Sequence, residues 1–195
     1  MTFIPATQLV KKWAETINTV TTEVQTIRDR KTKKALILVV RKLRVNLLVF
    51  YGLIKWWKST HVTFKCPDIN YVLQISNEDI KSYTFSITRS LALDIWWILE
   101  YHYRGTSKSG IKKILLNRFN NKIPPSIDAL RLIKNCFHNG GIHTGRDSDR
   151  NVSLTINAKT YHFREGKPIK HFHPLSILEL IDDVVIRLIQ TTQSH

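Results

Sequence analysis

Cysteine is scarce in this chain. Cys66 and Cys136 are the whole complement, and they lie far apart at no metal-binding spacing. Two thiols cannot build a disulfide framework, so the expectation is reduced thiols in a cytoplasmic protein. The stretch MTFIPATQLVKKWAE lacks the basic segment, apolar core and small-residue cleavage site of a secretory signal. There is no phosphate-cradling glycine loop and no G-x-S-x-G elbow, which excludes P-loop and α/β-hydrolase chemistry. His171 and His173 flank Phe172, yet no Cys, Asp or Glu stands near them at ligand spacing. No metal and no other cofactor is therefore expected. Internal repeats and low-complexity tracts are missing as well.

Acid is the other shortage. Fifteen Asp and Glu face thirty Lys and Arg, leaving a net charge of +15. Such a balance favours phosphate-rich partners, with nucleic acid ahead of a charge that merely keeps the protein soluble, and both ahead of an anionic membrane surface. The shortage is uneven. From Arg28 to Lys58 the only acid is Asp29, against ten Lys or Arg, and from Tyr101 to Ile127 there is no acid at all. One basic face is expected if these stretches meet.

A long uninterrupted apolar run is also missing. Residues 35–57 are apolar enough to raise the question, but a spanning helix needs about 20 predominantly apolar residues. Arg41, Lys42 and Arg44 interrupt this one. A bundle helix with a basic outer face is the reading, and a membrane-associated oligomer stays as an alternative.

What is present is helical periodicity. Val10, Trp13, Ile17, Val20, Val24 and Ile27 form one stripe and predict a helix over 7–28. That stripe serves core packing, or a dimer seam as the alternative. Leu36, Val39, Leu43, Leu47, Phe50, Ile54 and Trp57 predict a second helix over 33–58. Ile87, Leu91, Trp97 or Ile98, and Tyr101 predict a third over 78–103, ended by Gly105. Pro67 marks the connection between these two. A short basic helix follows in SKSGIKKILLNRFNN. Ser126 can cap a helix over 127–138, stopped by Gly140 and Gly141. Alternation around Asn157 and Ala158 predicts a β-hairpin near 152–164. Its Tyr161, His162 and Phe163 either stack on bases or pack the hairpin onto the bundle. Pro174 opens a last helix. The expected fold is a single all-α domain over 1–195, a bundle of five or six helices with a small hairpin insert.

One short stretch carries candidate chemistry, RLIKNCFHNGG at 131–141. Arg131, Lys134, Asn135 and His138 fall at i, i+3, i+4 and i+7, one face of a helix. His143 and Arg146 follow in the next loop. A histidine can move the 2′-OH proton or protonate a leaving oxygen near neutral pH. Arg and Lys can stabilise charge on a phosphorane-like transition state. The alternative is purely structural, since cations at a helix C-terminus complement its dipole and bond its last carbonyls.

Arg131 and His138 fit the R-x(4-6)-H motif of the HEPN superfamily at its upper spacing limit, and KNCFHNGG is similar to its Asn-containing, Gly-terminated form. The resemblance implies an α-helical, metal-independent endoribonuclease of a toxin–antitoxin, CRISPR or anti-phage system, working as a homodimer or higher oligomer, with a possible defence-system protein partner. It implies Arg131 and His138 as the catalytic pair and Asn135 as their polar helper. Lys134, His143, Arg146, Arg41, Lys42 and Arg44 are the expected phosphate contacts. Lys134 stands where the family usually has Arg directly before Asn, so a non-cutting RNA-binding or accessory subunit is the alternative.

Overall fold

The computed structural model describes residues 6–57, 61–66, 69–74, 76–105, 107–145, 147–169 and 174–193. In chain order these give α1 (Ala6–Thr26), α2 (Arg30–Trp57), β1 (His61–Cys66), β2 (Ile69–Gln74), α3 (Asn77–Arg104), α4 (Ile111–Arg118), α5 (Pro125–His138), β3 (Asn151–Ile156), β4 (Lys159–Arg164) and α6 (Pro174–Gln193). The all-α bundle with a hairpin insert is thus what forms.

Each long helix presents one apolar face, and those faces supply the core. On α1 the buried residues are Leu9, Trp13, Ile17, Val20 and Val24, with Ile27 just beyond its end. Val10 is only partly buried, so Leu9 takes its expected place. This stripe packs on α2 and α6, and Trp13 stacks on Phe50 of α2 with ring centroids 5.8 Å apart. Lys12 reinforces the α1–α6 contact through Asp182 at 2.6 Å. Leu36, Val39, Leu43 and Phe50 of α2 are buried as the periodicity predicts; the side chains of Ile54 and Trp57 lie outside the described residues. On α6, Ile177, Leu178, Leu180, Ile181, Val184, Val185, Leu188 and Ile189 are buried, a face too wide for a surface helix.

The expected face of α3 holds at Ile87 and Leu91, and Ile98 packs partly buried against the core, but Trp97 and Tyr101 do not belong to it. Ile87, Leu91, Ala92, Ile95, Trp96 and Leu99 are buried, while Trp97 is exposed and Tyr101 is 84% exposed. Trp96 wins the inner position because its indole N–H reaches the Glu100 carboxylate at 2.7 Å, so its one polar atom is satisfied inside. At the start of α3, Ser76 accepts from the Asp79 N–H and Asp79 accepts from the Ser76 N–H, a capping box. Gly105 ends it with a positive φ of 50°.

The connection marked by Pro67 holds a second hairpin that the periodicity did not reveal. β1 and β2 pair antiparallel, from His61 opposite Gln74 to Cys66 opposite Ile69. The expected hairpin is present as β3–β4, with Val152 opposite Phe163 and Leu154 opposite Tyr161. Tyr161 and Phe163 are buried against the bundle, so they pack instead of offering rings to bases; His162 is exposed.

Candidate nucleic-acid interface

α5 is built to be central. Pro124 caps it and Pro125 occupies the first helical position, where a fixed φ and a missing N–H cost nothing. Ser126 therefore lies inside the first turn, buried, and does not cap. Ile127, Leu130, Ile133 and Phe137 form the expected stripe, but Ala129, Leu132 and Cys136 are buried too. The helix packs on α3, α6 and β3, so most of its circumference is covered.

That burial divides the expected cationic face. Arg131 is 4% exposed. Its Nε donates to Asp128 at 2.7 Å, and its Nη1 donates to Asp149 at 2.8 Å. Asp149 also accepts from Lys112 of α4 at 2.5 Å. Two cations and two carboxylates thus balance. Burial alone would push the Asp149 carboxyl up, but hydrogen bonds from Arg131 and Lys112 outweigh it and hold the group below its ordinary value. Burial likewise opposes the charge on Arg131, and the two carboxylates overcome it. Nε and Nη1 are thus engaged, and Nη2, which makes no hydrogen bond, is buried beside Asp128, out of reach of a polymer.

His143, expected as a phosphate contact, is 1% exposed. Its Nε2–H donates to the Asp149 carbonyl at 2.6 Å, which leaves Nδ1 to accept from the Cys136 thiol at 3.5 Å. Burial pushes that thiol up to about 12. Gly145 permits this arrangement, because a Cβ there would sit 1.9 Å from the Asp149 carbonyl oxygen. The structure therefore joins Arg131 and His143 through Asp149, in an internal network with no place for substrate.

The other expected residues spread over the surface. His138 is exposed at the last position of α5. Lys134 is half-buried, its ammonium 5.9 Å above the Trp97 ring. Asn135 is half-buried, and its carbonyl accepts from Asn139, which also donates to Thr144. Gly140 and Gly141 take positive φ values of 66° and 87°, and the Gly141 N–H reaches the Cys136 carbonyl at 2.8 Å. This is a Schellman stop, so the diglycine terminates the helix. Arg146, His171 and His173 lie outside the described residues. Arg41, Lys42 and Arg44 are exposed on α2, which packs on α1 and α3, whereas α5 packs on α3, α6 and β3. Lys42 pairs with Asp94 at 3.1 Å, and Arg44 donates to Thr21 at 3.4 Å. Among the described residues no group of three His, Cys, Asp or Glu is arranged to hold a metal.

A different cationic cluster emerges where the two acid-poor stretches meet. The start of α2 and the end of α3 touch: His102 Nε2 lies 3.2 Å from the Thr32 hydroxyl. Thr32 in turn donates to Asp29, whose carboxylate also accepts from the Thr32 N–H and so caps α2. The sole acid of the first stretch is thereby engaged by backbone and hydroxyl, and its pKa is lowered by those bonds. Burial lowers the pKa of His102, and the positive charges of Arg118 and Lys31 lower it further against the pull of Asp29. Lys31 of α2 and Arg118 of α4, whose charges act on it, are both exposed, and so are Arg104 and Lys122. Arg104 is paired with Glu100 at 2.6 Å. Tyr101, one residue from His102, offers an exposed ring. Only the two acid-poor runs hinted at this cluster in the sequence; their meeting depends on α3 packing along α2 and α4 packing on α3.

Exposed Lys and Arg side chains and an exposed tyrosine ring are the groups that pair with phosphates and stack on bases. Comparison with protein-family profiles, with curated proteins and with solved structures finds no match to the chain.

Proposed function

We propose that the chain is an HEPN-like RNA-binding protein that grips the phosphate backbone at the basic end of its bundle, and that Arg131 serves the fold instead of chemistry. One observation carries this reading: the Thr32 hydroxyl lies 3.2 Å from His102 Nε2, which brings the start of α2, with exposed Lys31, against the end of α3, with exposed Tyr101. Exposed Lys and Arg release counterions from nucleic acid, and an exposed tyrosine adds a sequence-tolerant stacking platform. An accessory role in a defence complex is the setting that the family resemblance implies.

The test is anisotropy of a labelled single-stranded oligoribonucleotide across a salt series. For single strands each neutralised phosphate contributes about 0.7 to the slope of log K against log salt. The Lys31→Glu/Arg118→Glu variant is expected to flatten that slope by about 1.4, with His138→Ala unchanged. Equal slopes for wild type and the double variant would overturn the proposal.

A ribonuclease reading rests on the exposure of His138 beside Lys134. It requires RNA cleavage in EDTA that disappears in His138→Ala, with the phosphate-stabilising cation supplied by a group other than Arg131.

A further inference from the structure

The outer face of α2 is apolar without being covered. Ile37, Leu38, Val45, Leu48 and Val49 are all exposed, Leu48 at 70%. Ile37, Arg41, Val45 and Leu48 follow one another at helical spacing, so they line a single stripe, with Leu38 and Val49 beside it. Arg41 and Arg44 emerge from the same face, both exposed, and exposed Lys34 stands one turn before it. The core is satisfied from the opposite side of the helix by Leu36, Val39, Leu43 and Phe50. Five large side chains are therefore left in water with no role in folding, a patch of the kind that marks an interaction site.

Charge selects the occupant. The 28 residues of α2 carry eight Lys or Arg and no Asp or Glu. A second copy laid face to face would meet cations with cations in every register, because α2 has no carboxylate to answer them. RNA would answer the charge but gains nothing from Leu48 or Val49. A sheet of anionic headgroups over acyl chains satisfies both components at once: apolar side chains enter the boundary by about 5–10 Å while Arg and Lys remain with the phosphates. No described helix is long and apolar enough to cross a membrane, so α2 would lie along the surface.

We infer that the exposed face of α2, centred on Val45 and Leu48, docks the protein onto anionic lipid bilayers. Full-length protein should float with phosphatidylcholine–phosphatidylglycerol vesicles and remain at the bottom with phosphatidylcholine alone. Val45→Gln/Leu48→Gln/Val49→Gln should reduce vesicle partitioning by about a hundredfold or more, with RNA affinity and melting temperature unchanged. Leu48→Glu alone makes the same comparison should the triple variant melt early. Three outcomes would overturn the inference. One is a wild-type protein that does not float with anionic vesicles. Another is flotation that both variants retain, which would place adsorption elsewhere on the basic surface. The third is a wild-type dimer in sedimentation velocity that becomes monomeric in Leu48→Glu, which would assign the face to a second copy.

Discussion

Truncating Arg131 to alanine separates a structural from a catalytic role for this side chain. In the folded protein its guanidinium is 4% exposed and bonded to Asp128 and Asp149. The variant leaves Asp128 without that cation and Asp149 with Lys112 alone. Breaking a buried charge network by removing one member costs about 3–5 kcal/mol. Lys112 still serves Asp149, and both carboxylates keep some exposure, so the lower part of that range applies, about 3 kcal/mol. For a domain of this size, 1 kcal/mol moves the melting temperature by about 2–4 °C, which gives a fall of about 6–12 °C. Thermal denaturation followed by far-ultraviolet circular dichroism reads it directly. Arg131→Lys should fall between wild type and Arg131→Ala, because it keeps the charge and loses the fork. A melting temperature within about 2 °C of wild type, together with collapsed RNA binding or cleavage, would refute the reasoning and return Arg131 to the ligand.

Four further outcomes follow from the contacts described above. Asp149 has a lowered pKa when folded, so the stability it confers is complete above the unfolded carboxylate value of about 3.9 and drains away as pH falls through the folded one; urea midpoints should drop in this acid range, and Asp149→Asn should start lower and flatten the drop. His102 also has a lowered folded pKa, so it resists protonation in the free protein, while a bound phosphate would favour the charged form; RNA affinity should rise as pH falls below about 6.5, and His102→Gln should abolish the rise. Gly145→Ala forces a Cβ into the Asp149 carbonyl and the His143 ring; a melting temperature equal to wild type would show that the 143–149 loop relaxes freely. The buried Cys136 thiol should resist iodoacetamide in native protein and react after urea unfolding, as read by peptide mass mapping.

The helices were legible because burial on one side writes a 3.6-residue period into the sequence, and α1, α2, α5 and α6 follow it. Phase is harder where apolar residues adjoin. Trp96 and Trp97 both suit an inner position, and only the Glu100 partner one turn away decides between them. The β1–β2 pair is not legible from Pro67, which signals a connection and says nothing of the strands on either side of it. The candidate site was legible as a set of residue types and not as a surface. Asp128 stands three residues before Arg131, which is a local signal of neutralisation, whereas Asp149 and the β3 packing that seal the guanidinium come from later in the chain. The cluster around His102 unites positions some 70 residues apart, Thr32 and His102, and nothing in local pattern specifies that contact.

α4 contributes one fully buried side chain, Leu115, and spans eight residues. A segment so short has little helical stability of its own and depends on what fastens it. One fastening is the reach of Lys112 to Ser148 and Asp149, at the rim of the network around Arg131. Because that ion pair is partly open to solvent, rising ionic strength weakens it. Salt would then act twice on this molecule, by shielding a polyanion from Arg118 and by letting the segment that carries Arg118 peel away. Amide exchange in α4 should quicken with salt well before the central helices respond, giving the bundle a hinged edge whose looseness tracks its surroundings.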